Sequence, residues 1–145
     1  MGQVRVHTSI ELIDSKGFSK KHDYVYNNNV LNSYYEHFAE VSASSTAVIW
    51  DPNAWTGYTP ADFDFMALIS NTELHIEFTV NEGDANEELF TFELLKDLPI
   101  LLGSKSSYYN HSASDAYGGT LDVIDKIRAK EVNGNDAKLH VILFT

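Results

Sequence analysis

The residues of this sequence best suited to chemistry are two short groups of oxygen-bearing side chains. Asp62 and Asp64 stand two positions apart, so on a strand both carboxylates share one face and could coordinate a cation. Asp84, Asn86 and Glu88 have the spacing of the first ligands of a calcium-binding loop, although DANEELF lacks the glycine and the distal glutamate of that loop. We therefore interpret the groups as a solvated strand start and a polar hairpin tip, and predict neither metal nor cofactor; cation binding by the second group stays open.

Nucleophiles and metal ligands are not grouped as catalysis requires. The six histidines, at positions 7, 22, 37, 75, 111 and 140, are scattered singly and form none of the usual zinc motifs. The sequence contains no cysteine, which excludes a thiolate nucleophile, a disulfide and a cysteine-based metal site. It also contains no serine-nucleophile elbow and no glycine-rich phosphate-binding motif. We therefore predict that the protein is not an enzyme.

Aromatic side chains in two loop segments are the strongest candidates for binding. One segment lies between Trp50 and Pro60 and contains glycine and proline. The other segment runs from Ser104 to Thr120 and is rich in Ser, Tyr and Asn. Tyrosine and tryptophan are enriched at protein interfaces, and they also stack on sugar rings or fold back onto the core. We predict protein-contact roles for Trp55, Tyr58, Tyr108, Tyr109 and Tyr117.

Charge and length limit the possible partners. The 145 residues carry a net charge of −11, from 21 acidic and 10 basic side chains. Small basic clusters are formed by Lys16, Lys20 and Lys21 and by Lys126, Arg128 and Lys130. Neither is large enough to bind a duplex, so we predict no nucleic-acid partner, and the acidic surface suits a basic protein partner instead. No apolar run approaches a membrane span, no apolar signal-peptide segment is found, and the length fits a single domain, residues 1–145.

Most of these residues are carried by segments with the alternation typical of strands. Leu74, Ile76, Phe78 and Val80 form the cleanest apolar face, opposite Glu73, His75, Glu77 and Thr79. Residues 63–70 become apolar on both faces after Asp64, which predicts a strand in the middle of its sheet. Turn signals predict an opening hairpin from 3–13 and 18–26, ended by a turn at Asn27–Asn29, and a closing hairpin around Asn133–Asp136.

Two segments fit both a helix and a strand. In residues 30–41, Leu31, Tyr34, Phe38 and Val41 have helical spacing, whereas a strand places Tyr35, His37, Ala39 and Val41 on one face. Residues 121–132 show the same ambiguity. Strand-like flanks and β-favouring residues lead us to prefer strands in both. The predicted fold is therefore all-β, an antiparallel and jelly-roll-like β-sandwich of about eight strands.

One family resemblance adds to this interpretation. The stretches VIWDPNAWTGYTPADFDFMALIS, EFTVNEGDANEELFTFEL, LPILLGSKSSY and GGTLDVIDKIRAK, with the final strand, resemble small virion structural proteins of tailed bacteriophages. The resemblance covers most of the chain from Val48 onward. It implies a non-enzymatic, oligomeric β-sandwich located in the virion, where it decorates or cements a capsid or builds part of a tail or fibre. It offers no functional residues to transfer.

Three classes of function follow from these observations. We expect a virion protein that associates with itself and with other virion proteins. The alternative is a carbohydrate-binding β-sandwich module, in which the loop aromatics stack on a glycan. A small cupin-like or lipocalin-like enzyme or carrier is the third, and it needs a polar interior cluster that the sequence does not display.

Overall fold

Every regular element that the structure describes is a β-strand, and every described pair of strands is antiparallel. The computed structural model describes residues 2–13, 19–31, 34–53, 62–85, 87–103 and 123–144. Among these residues, no helix is long and apolar enough to cross a membrane. Contacts group the chain into two compact units, Met1–Ser33 and Tyr34–Thr145. The predicted all-β, antiparallel class is confirmed.

The first unit is a two-stranded hairpin. Strand β1 (Gly2–Ile13) pairs with β2 (Ser19–Leu31) in antiparallel register. The predicted turn at Asn27–Asn29 is wrong, because Asn27 and Asn28 continue the ladder opposite Arg5 and Val4. Cross-strand hydrogen bonding along β1 outweighs the local turn preference of asparagine.

The second unit contains eight strands in two four-stranded sheets. Sheet I has the order β3-β10-β5-β8, and sheet II has the order β4-β9-β6-β7. The strands are β3 (Tyr34–Val41), β4 (Thr46–Trp50), β5 (Phe65–Ser70), β6 (Leu74–Val80), β7 (Glu88–Leu94), β8 (Ile100–Leu102), β9 (Ile124–Glu131) and β10 (Ala137–Phe144). Strand β5 lies between two neighbours, as its two apolar faces predict.

The pairing of these eight strands is nested. The first pairs with the last (β3 with β10), the second with the seventh (β4 with β9), the third with the sixth and the fourth with the fifth. These four pairs form one long two-stranded ribbon. Two further pairings, β10 with β5 and β9 with β6, join its parts into the two four-stranded sheets. A long hairpin ribbon rolled up in this way has the strand order of a jelly roll, as the sequence predicts.

The core is formed by the inward-facing residues of both sheets. Leu74, Ile76, Phe78 and Val80 are fully buried, and His75 on the other face of β6 is exposed, so the predicted face is confirmed. One hydrophobic cluster contains these residues together with Leu139, Val141 and Leu143 of sheet I. A cluster shared by the two sheets is consistent with the predicted β-sandwich.

Residues 34–41 form a strand, which resolves the ambiguity of that segment. Val41 is buried, and Tyr35, His37 and Ala39 are half-buried on the same face. Phe38, which the helical stripe would place in the core, is 66% exposed. Val30 and Leu31 instead belong to the end of β2.

The predicted closing hairpin is wrong, although both of its strands exist. Strand β9 pairs with β4 and β6 in sheet II, whereas β10 pairs with β3 and β5 in sheet I. The turn at Asn133–Asp136 therefore carries the chain from one sheet to the other. A turn motif specifies a reversal of direction, but the sheet that receives the next strand is decided by distant residues.

Candidate functional site

The structure leaves the predicted contact residues untested. Trp55, Tyr58, Tyr108, Tyr109 and Tyr117 all lie outside the residues that the structure describes. Their roles stay predictions.

The two acidic groups show no geometry of a metal site in the described residues. Asp62 and Asp64 are exposed and stand just before β5, where Asp62 Oδ1 accepts a hydrogen bond of 2.8 Å from the amide of Phe63. Asp84 forms part of the turn between β6 and β7, and Asn86 lies outside the described residues. Across the described ranges, no three His, Asp or Glu side chains are placed to hold a metal ion.

The face of sheet I that points away from the core is unusually apolar. Register places Phe38, His140 and Ile69 in one row, and Ile142, Ala67 and Leu101 in the next. We call this surface the apolar face; it comprises Phe38, Phe65, Ala67, Ile69, Leu101, Ile142 and Phe144. Phe38 and Leu101 are exposed, and most of the others are half-buried. Outer faces of antiparallel sheets are ordinarily polar, so this one calls for an explanation.

Charged and aromatic groups meet at the β3 edge of the apolar face. The ring of Phe38 stacks on the imidazole of His140, with centroids 4.5 Å apart and an interplanar angle of 18°. At the edge of the same imidazole, Nε2 of His140 lies 2.5 Å from Oε1 of Glu36. On the inner face of β3, burial lowers the pKa of His37, and the neighbouring His140 lowers it further.

The outer face of sheet II is polar and forms a shallow depression of about 370 Å³. Two rows of side chains cross it. One row contains Thr46, Lys130 and His75, and the other contains Arg128, Glu77 and Thr91. We call this surface the polar depression; these six residues line it. Strand alternation predicts that they share a face, but only the pairing of four strands brings them together.

The polar depression holds more positive than negative charge. Arg128 forms an ion pair with Glu77, which stands directly opposite it on β6. The Nε of Arg128 is buried and has no hydrogen-bond partner among the residues that the structure describes. Lys130 is exposed and forms no ion pair within the described part of the chain. The depression is therefore a local concentration of positive charge on a strongly acidic protein.

Two carboxylate networks that sequence reasoning missed hold the ends of the sheets. Glu131 is fully buried, and its carboxylate accepts hydrogen bonds from the amides of Ser44 (2.9 Å), Asn133 (2.7 Å) and Gly134 (2.8 Å). The amide of Ser44 first, then those of the β9–β10 turn, hold the pKa of Glu131 below its usual value. The alternation of β9 predicts an inward Glu131, but nothing in the sequence names its partners.

The second network surrounds Lys126. Its ammonium pairs with Glu82 and lies 3.5 Å, Nζ to Oδ2, from Asp51, which is buried. The hydrogen bond to Glu82 raises the pKa of Lys126. This cation is therefore occupied, which leaves Arg128 and Lys130 as the β9 cations that face the polar depression.

Comparison of the chain with protein-family models, with curated proteins and with solved structures finds no match. The functional conclusions therefore rest on the two outer faces, one apolar and one polar.

Proposed function

We propose that this chain is a non-enzymatic virion structural protein of a tailed bacteriophage, acting as a capsid decoration or cement protein or as a tail or fibre component. Its partners are further copies of itself and other virion proteins. The observation that carries the proposal is an apolar outer face on a sheet with jelly-roll strand order.

The fold alone gives limited support. Jelly rolls occur in viral capsid domains, in lectin domains and in cupins, so strand order is compatible with all three classes of function considered above. The distinction has to come from the surfaces that the fold presents.

The apolar face supports assembly. Contiguous exposed apolar surface marks contact sites, and interface cores are depleted in charge and enriched in aromatic residues. Phe38 is 66% exposed, and the row of Ile142, Ala67 and Leu101 is apolar across three strands of sheet I before it reaches Glu36 on β3. A face of this kind in water favours burial against another protein.

Charged residues beside Phe38 at the edge of the apolar face favour a second copy of this chain as one partner of that face. Glu36 and Glu40 flank Phe38 on β3, and His140 and Lys138 stand opposite Phe38 and Glu40 on β10. A patch that carries both signs beside an apolar centre can be complementary to itself across a two-fold axis.

We expect Phe38→Lys to weaken self-association, because it replaces the most exposed ring of the apolar face by a charge. Size-exclusion chromatography with light scattering, over a range of protein concentrations, measures the effect. The matched control is Leu89→Lys, which alters a residue 53% exposed on the outer face of sheet II. A wild-type protein that stays monomeric at all concentrations, or an equal loss in the control, contradicts the proposal.

Measurable turnover of a substrate would overturn the non-enzymatic part of the proposal.

A carbohydrate-binding module is the second candidate, and the polar depression favours it. A depression of about 370 Å³ that presents polar side chains from four strands has the volume of a small-ligand site. A monomer that binds glycans and does not assemble is the result expected of this candidate.

A further inference from the structure

The polar depression contains binding groups that no described contact uses. Arg128 and Lys130 supply two cations against the single carboxylate of Glu77. Within the described ranges, Lys130 has no ion-pair partner and the buried Nε of Arg128 has no hydrogen-bond acceptor. The side chain of Arg128 is 38% exposed, so its terminal N–H groups and the ammonium of Lys130 can donate hydrogen bonds to an anionic ligand.

The pair of Arg128 and Glu77 prepares the site for an anionic group. Because Glu77 stands directly opposite Arg128, the ion pair holds one end of the guanidinium over β6. The guanidinium retains further N–H groups, and a planar fork of this kind matches a carboxylate. Lys130, two residues along the same strand, adds a second positive charge.

The breadth of the depression indicates a ligand larger than a lone anion. Neighbouring strands lie about 4.8 Å apart and alternate residues about 7 Å, so the four strands span roughly 14 Å. A tetrahedral anion contacts only part of such a surface. A pyranose ring with a carboxylate extends from the cations of β9 toward Thr91, and its hydroxyls can meet His75 and Glu77 on the strand between them.

The lining also indicates charge recognition. None of the six lining residues carries an aromatic ring of the Phe, Tyr or Trp type, so the face of a neutral sugar finds no stacking platform in the depression itself. We propose that the polar depression binds the carboxylate-bearing sugar unit of an acidic glycan, a hexuronate. This inference sharpens the carbohydrate-binding candidate and does not depend on the assignment to a virion.

Isothermal titration calorimetry on the full chain, at fixed ionic strength, tests the ligand class with three probes. Methyl glucuronide should bind. Methyl glucoside, which lacks the carboxylate, should bind with an affinity at least roughly tenfold lower. Equal binding of the two sugars overturns the proposal. So does binding of inorganic phosphate as strong as that of the glucuronide, since it would show a general anion site, and so does the absence of glucuronide binding.

Variants locate the binding. Lys130→Gln should weaken glucuronide binding roughly tenfold, whereas the control Lys138→Gln, on the outer face of sheet I, should leave it unchanged. Thr91→Val removes a hydroxyl while keeping its shape, and should weaken glucuronide binding without changing any residual phosphate binding. Unchanged glucuronide affinity in both Lys130→Gln and Thr91→Val contradicts the placement. Light scattering of the same samples measures assembly separately, so this inference and the virion proposal can fail independently.

Discussion

Glu131 shows how a single carboxylate can organise two turns of the fold. Its amide donors include Ser44 and Gly134, which adopt positive φ angles of 56° and 76°. Left-handed backbone is unfavourable for a residue with a side chain such as Ser44, so the carboxylate offsets local strain in one turn while it fixes the other. It thereby links the end of β9 to the β3–β4 turn.

We expect Glu131→Gln to destabilise the protein, because the neutral amide has one acceptor oxygen where the carboxylate has two. The folded-state pKa of Glu131 is lowered by its hydrogen bonds. The ionised carboxylate therefore contributes to the free energy of unfolding above the unfolded-state pKa, and this contribution is lost as the pH falls through the folded-state pKa. Urea unfolding midpoints measured from neutral to acidic pH should therefore converge for wild type and variant at the acidic end. Glu93→Gln, which alters an exposed carboxylate on β7, is the control. A gap that persists unchanged at low pH would contradict this role for the carboxylate.

The orientation of single side chains could be predicted wherever apolar and polar residues alternate along a strand. Ile127 and Ala129 point inward and Lys126, Arg128 and Lys130 point outward, as the pattern of β9 predicts. Their partners were not predictable, because Glu77 and Glu82 are distant in sequence. The polar depression was missed for the same reason.

At the scale of the element, β6 gives the sharpest test of the core. Phe78 is fully buried and its ring lies 5.0 Å, centroid to centroid, from that of Phe92 on the paired strand. We expect Phe78→Ala to lower the free energy of unfolding by about 3–5 kcal/mol, since it removes a large buried side chain and leaves a cavity. Denaturant unfolding provides the measurement.

The control for that measurement is Leu89→Ala, which alters an exposed residue on the neighbouring strand and should change stability by less than about 1 kcal/mol. A loss of only that size in Phe78→Ala would mean that the inward face of β6 is wrongly assigned.

Strand existence was easier to predict than strand pairing. Alternation identifies β5, β6, β7, β9 and β10, because each buries one face or both. Pairing depends on which distant strand completes the hydrogen bonds, so the local turn signal at Asn133–Asp136 led to a wrong closing hairpin. The opening hairpin of β1 and β2 was predictable because its two strands are adjacent in sequence and pair with each other.

At the scale of the molecule, the predicted contact residues Trp55 and Tyr109 remain candidates for contacts with partner proteins. We expect Trp55→Ala and Tyr109→Ala, made separately, to weaken assembly onto oligomers or particles while leaving the thermal unfolding midpoint nearly unchanged. Assembly by light scattering and unfolding by calorimetry give the two readouts. Loss of thermal stability with assembly intact would place the rings in the core instead.

The nested strand order has a consequence for how the protein is made. Strand β10 lies between β3 and β5, so the middle of sheet I is filled by the strand that a ribosome synthesises last among the described ones. Closing β3 against β10 joins segments separated by roughly a hundred residues, an ordering cost that slows folding. Until β10 emerges, β3 and β5 present unpaired edges to every neighbouring nascent chain. In a cell that produces many copies at once, the interval between synthesis and closure is when this protein is most exposed to misassembly.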